Sequence, residues 1–143
     1  MSDYPFWWDK TVTVYNKKVD SQTQRVTWYR HVVHNCFWKY VNDVSLGDKV
    51  VYETKQVICR IPKSPKYQEW YEWESGGDTW TLHTGDILVN CELTEDIDEY
   101  SKGKRSTDLL ARYKDAHGCL EVETFTVDTG DGLCCEHYHV RGR

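Results

Sequence analysis

The sequence predicts a mainly β fold: a small β-barrel or sandwich of about seven strands, with one short helix near residues 106–115 and a long loop at residues 62–78. Three observations carry this. Val12, Val14, Val26, Val32, Val33, Val50, Val51 and Val57, interleaved with Thr and Tyr, dominate the first half, and side chains branched at the β-carbon suit a pleated surface. Alanine, the best helix former, occurs only at Ala111 and Ala116, which argues against a bundle. Aromatic residues reach 14%, with seven Trp and ten Tyr, more burial-seeking ring surface than a disordered chain carries.

Thr11-Val12-Thr13-Val14-Tyr15 alternates, residues 16–24 are polar, and Val26-Thr27-Trp28-Tyr29-Arg30-His31-Val32 alternates again, which reads as a hairpin with a longish loop. A third run covers residues 35–40. A fourth covers residues 50–61 and stops at Pro62, which has no N–H to give a ladder. Ile87-Leu88-Val89-Asn90-Cys91 is a fifth. Residues 120–127 and 133–140 read as a closing hairpin around Asp128-Thr129-Gly130-Asp131-Gly132, a loop tolerant of positive φ. Only residues 106–115 look helical: Ser106 or Thr107 can cap, Asp108 favours the amino end, Leu109, Leu110 and Tyr113 share a face, and Gly118 lies just beyond. Leu46-Gly47-Asp48-Lys49-Val50-Val51 and Thr84-Gly85-Asp86-Ile87-Leu88-Val89 share a pattern, echoed at Gly130-Asp131-Gly132-Leu133. Glycine supplies a left-handed turn before a strand, so this is shared turn chemistry rather than duplication.

A length of 143 residues fits one domain spanning residues 1–143. Eighteen basic and 23 acidic residues give a net charge of −5, and the pI is 5.6, which excludes general attraction to phosphate or anionic lipid. The mean hydropathy is −0.73 and no apolar run approaches the roughly 18 residues of a membrane span, so a soluble chain is expected. The first nine residues lack a basic region followed by an apolar stretch, which points to synthesis in cytoplasm without secretion.

Motifs for chemistry are sparse. There is no Gly-x-Ser-x-Gly, no phosphate-cradling glycine loop, no His-Glu-x-x-His and no Cys-x-x-Cys. Cys36, Cys59, Cys91 and Cys119 each sit alone in or beside strands and read as small core residues. In Cys134-Cys135-Glu136-His137-Tyr138-His139 the two histidines share one strand face and can hold an ion. Cys135 lies about 13 Å from His139 by strand rise, so further ligands would have to come from other strands. Glu92, Glu95, Asp96, Asp98 and Glu99 form an acidic cluster, either a general acid and base pair or a solvated face. No enzyme, no cofactor and no metal site is expected.

Residues 62–78 exceed an ordinary strand connection. Trp70, Tyr71 and Trp73 are amphipathic rings of the kind that dominate interfaces, and they either grip a partner or fold back as a lid. With no strand or helix to hold them, the loop is expected to reach away from the barrel. Lys102, Lys104 and Arg105 form a basic turn beside the acidic cluster, suited to a charge contact between subunits or simply exposed.

Trp8-Asp9-Lys10-Thr11-Val12-Thr13-Val14-Tyr15-Asn16, Cys36-Phe37-Trp38-Lys39, Val57-Ile58-Cys59-Arg60-Ile61-Pro62, Gly85-Asp86-Ile87-Leu88-Val89, Ser101-Lys102-Gly103-Lys104-Arg105-Ser106 and His137-Tyr138-His139-Val140-Arg141-Gly142 together span nearly the whole chain. In this pattern the chain resembles small head-tail joining, or minor capsid, proteins of tailed bacteriophages and prophages of Gram-positive bacteria. The resemblance implies a head-closure (stopper) protein, a β-barrel whose copies form a sixfold or twelvefold ring and join the portal and adaptor proteins to tail proteins. It places the chain in the virion, at the head-tail interface, with DNA passing the channel without specific binding and no membrane involved. A tail terminator or a capsid-surface minor protein is the alternative within that class, and a small metal-binding or hydrolytic enzyme the alternative outside it. The aromatic, acidic loop at residues 62–78 departs from the pattern.

Overall fold

In the structure, a computed structural model that describes residues 7–46, 51–75, 77–114, 116–128 and 136–143, the first alternating run forms β1 (Lys10–Val19). The strand is longer than the alternation suggests. Asn16, Lys17 and Lys18, expected in a loop, pair with Tyr29, Trp28 and Thr27, because ladder hydrogen bonds need only the backbone. The turn tightens to residues 20–25, where the Asp20 carboxylate accepts from the N–H groups of Gln22 and Thr23. Gln24 takes φ +60° there.

The runs at residues 26–32 and 35–40 are one strand, β2 (Val26–Leu46), which reduces the expected seven strands to six. Asn35 joins them. It has φ +60°, a value an Asn tolerates better than most side chains, and the register slips by one residue between the pairs Lys10↔Cys36 and Val12↔Val33. The slip changes the inward parity, so that Val33 and Cys36 both face the core.

The remaining strands are β3 (Val51–Pro62), β4 (Ile87–Val89), β5 (Cys119–Asp128) and β6 (His137–Gly142). All pairs are antiparallel, and the order β1-β2-β3-β6-β5-β4 closes into a barrel. β5 and β6 form the expected closing hairpin. Its connecting loop, Cys134 and Cys135, and the Gly47-Asp48 and Gly130-Asp131 copies of the turn pattern lie outside the described residues. The third copy is a tight turn, with Gly85 at φ +97°.

Two cores stabilise the molecule. Val12, Val14, Cys36, Cys59, Ile61, Trp80, Leu82, Leu88, Leu120, Val122, Tyr138 and Val140 fill the barrel. A second cluster of Tyr15, Ile87, Val89, Leu93, Ile97, Leu109 and Cys119 lies outside it, where a strap at residues 90–98 and the helix α1 (Ser106–Tyr113) cover β1 and β4. This explains why residues 12–16 are buried without a break despite their alternation. The helix is capped by Arg105 rather than Ser106 or Thr107: Asp108 accepts from the Arg105 N–H at 3.2 Å, and Glu99 takes the Ser106 N–H at 2.8 Å. Gly118 follows at φ +90° and donates to the Tyr113 carbonyl.

Candidate functional site

The long loop does not reach away from the barrel. Tyr67 bridges to Trp80 in parallel, with Gln68 N–H on the Trp80 carbonyl at 2.9 Å and Trp80 N–H on the Lys66 carbonyl at 3.0 Å. The Tyr67 ring closes the barrel mouth against Tyr138, centroids 4.2 Å apart, and Trp80, at 5.2 Å. Lys66 pairs with Asp78 across the neck of the loop. Trp73 is half-buried: its indole N–H donates to the Thr79 carbonyl, its ring meets Tyr29 edge-on, and Lys18 sits over it at 5.7 Å. Only Trp70, 53% exposed, and Tyr71, 68% exposed, face outward, with Trp70 also against His83. The rings therefore divide into one that holds the loop and two that are displayed.

The acidic cluster is dispersed rather than convergent. Glu95 accepts from the Tyr113 hydroxyl and pairs with Arg112, Asp96 pairs with Arg30 at 3.0 Å, and Glu99 accepts from the Trp28 indole and the Ser106 N–H. Its backbone works too, since the Glu95 carbonyl takes the Tyr15 hydroxyl. Burial beside Glu95 pushes the Tyr15 phenol well up. These groups fasten the strap. Lys102, Lys104 and Arg105 are exposed on a turn closed by Asp98 and Ser101 backbone bonds.

Tyr138 and Val140 face the core, so His137 and His139 lie on the outer face of β6. His137 is buried under the edge of Trp8. His139 lies between two guanidinium groups, with Arg60 Nε at 3.4 Å from one ring nitrogen and Arg141 Nε at 3.5 Å from the other. Two fixed positive charges disfavour a metal cation there. No group of three or more His, Cys, Asp or Glu suited to a metal occurs among the described residues. Cys36, Cys59 and Cys119 are buried and Cys91 half-buried, as core residues; burial and the neighbouring Cys36 thiol push the Cys59 thiol up.

The outer face of β2, β3 and β6 carries a cationic surface that no local motif announces. Lys39 is opposite Ile58, which is opposite Arg141; Phe37 is opposite Arg60, which is opposite His139. Arg60 lies over the Phe37 ring at 5.1 Å. The only sequence signal is period-2 placement on three strands, and it becomes visible once the register is known. A groove of about 270 Å³ near the barrel mouth is lined by His31, His34, Lys63, Lys66 and Trp80, but Glu136 and Asp78 neutralise its two lysines.

Asn16 and Asp86 form a buried polar node. Asn16 copies a backbone pairing, giving its amide N–H to the Thr81 carbonyl at 2.6 Å and taking the Thr81 N–H at 3.2 Å. Asp86 accepts from Asn16 Nδ2, Lys17 N–H and His83 N–H, each at 2.9 Å. Burial pushes its carboxyl up to about 6, with the three donors opposing the shift.

At the far end β2 and β3 outrun their neighbours. β1 pairing stops at Cys36 and β6 pairing at Val57, while β2 and β3 stay paired through Leu46↔Val51. Residues 41–46 and 51–56 thus form a two-stranded arm, roughly 20 Å long at the usual strand rise. Among the described residues no third strand pairs with it.

A family of unknown function (DUF6751) matches this chain over residues 7–143. No curated protein and no solved structure matches it.

Proposed function

We propose that this chain, which belongs to the family of unknown function DUF6751, is a structural protein of a tailed-phage virion that forms a ring at the neck, as a head-closure (stopper) component between the portal and adaptor and the tail. The observation that carries the reading is a closed barrel from which one two-stranded arm projects. Within the barrel each strand has a neighbour on both sides over at least part of its length, whereas among the described residues the arm is paired only within itself, which leaves both of its outer edges open. An isolated two-stranded ribbon is marginal in water, and neighbouring copies in a ring supply the strands that such an arm lacks. The net charge of −5 supports a channel that DNA passes without being held.

Quantitative mass spectrometry of purified virions tests this. The expected result is a fixed small number of copies per particle, located at the neck by labelling. Finding the chain only in infected-cell lysate, never in particles, would overturn the reading.

A further inference from the structure

We infer that the displayed loop rings and the cationic sheet face are the two halves of one contact between copies of this chain: Trp70, Tyr71, Glu72 and Glu74 of one copy seat on Lys39 and Arg141 of the next. The inference rests on the ring reading and names the surfaces that join its subunits.

The two surfaces match in charge and in chemistry. Lys39, Arg60 and Arg141 project from one face of three adjacent strands, and among the described residues no carboxylate pairs with any of them. Lys63, Lys66, Arg30, Arg112 and Arg143, by contrast, each have one. On the loop, Glu72 and Glu74 are exposed and likewise have no cation partner among the described residues. Beside them stand Trp70 and Tyr71, the π-faces on which a guanidinium or ammonium group settles.

One chain does not satisfy both halves by itself. The loop is tied to the barrel mouth by the Tyr67–Trp80 bridge and by Trp73, whereas Lys39 and Arg141 lie on the barrel wall, toward the arm end of β2 and β6. A mouth-to-wall contact joins two different patches, so each copy can receive one neighbour at its wall and offer its loop to another, and head-to-tail repetition of this kind gives a ring or a filament.

The test is self-association of the full chain, by sedimentation velocity at up to millimolar protein and low salt. The wild type is expected to associate, less so as salt rises. Lys39→Glu with Arg141→Glu, and separately Glu72→Lys with Glu74→Lys, are each expected to weaken association by roughly tenfold or more. All four positions are exposed, so each variant is checked for an unchanged melting temperature. Mixing the two variants restores complementary pairs and is expected to recover association. A monomeric wild type, an unaffected variant or a mixture that stays monomeric would overturn the contact. None of these results bears on whether virions contain the chain, so failure of this contact and failure of the neck reading are told apart.

Discussion

Asp86 is a carboxylate in a place where apolar side chains dominate, and its effect on stability has a sign that can be measured. Its carboxyl is raised from 3.8 to about 6, so the native state binds its proton more tightly than the unfolded chain does. The resulting stabilisation is fully present below about pH 3.8 and is lost as pH rises through 6; the two-unit span corresponds to about 3 kcal/mol at most. Asp86→Asn replaces one acceptor oxygen by an amide N–H that faces donors. Urea unfolding is therefore expected to show the variant about 1–3 kcal/mol less stable at pH 7, and without the wild-type gain between pH 7 and 5. The loop rings also separate one by one. Trp73→Ala removes a half-buried ring and its bond to Thr79, and is expected to lower the melting temperature by several degrees. Trp70→Ala with Tyr71→Ala should leave it within a degree or two, since both rings are displayed. Equal losses in the two variants would contradict this division.

Among the elements, β2 is the one that decides the architecture, because a single residue in the left-handed region lets it serve two neighbours. Asn35→Val forces a β-branched side chain into φ +60° and is expected to destabilise by about 1–2 kcal/mol, while Asn35→Gly is tolerated, as thermal unfolding of the pair would show. The helix is held mainly by Leu109, buried in the outer cluster. Leu109→Ala should cost about 2–4 kcal/mol and raise amide exchange in residues 90–113 before the barrel strands, a pattern distinct from global unfolding. The arm has the opposite character. Replacing residues 42–55 by a two-residue Asn-Gly turn is expected to leave the melting temperature of the barrel nearly unchanged, since β1 and β6 stop pairing short of this segment. The proposed neck role predicts that phage carrying that deletion show heads without attached tails in electron microscopy; normal particles would remove the arm from the proposed assembly.

For the molecule as a whole, the β class, the helix at residues 106–113 and the closing hairpin were legible in the sequence because each depends on neighbours a few residues apart. Valine at period 2 selects a strand, and Asp108 with Leu109 and Leu110 selects a helix, whatever the rest of the chain does. The sequence pointed to a barrel or a sandwich and left the choice open, because closure depends on which strands meet and in what register. The joining of two runs through Asn35 was hidden for the same reason, since a residue at positive φ inside a strand is settled by the pairing on both sides of it. The candidate surfaces divide likewise. The aromatic loop announced itself by its composition, but that Trp73 turns inward while Trp70 and Tyr71 turn out depends on Thr79, Tyr29 and Lys18, contributed by other segments. The cationic face needed three strands in register to bring residues 39, 60 and 141 together. Local periodicity and composition thus determined the elements of this protein, since propensity acts over single turns and pleats. Tertiary structure alone decided barrel closure, the buried Asn16–Asp86 node and the charge of each face, because these arise from contacts between residues that are neighbours only after folding.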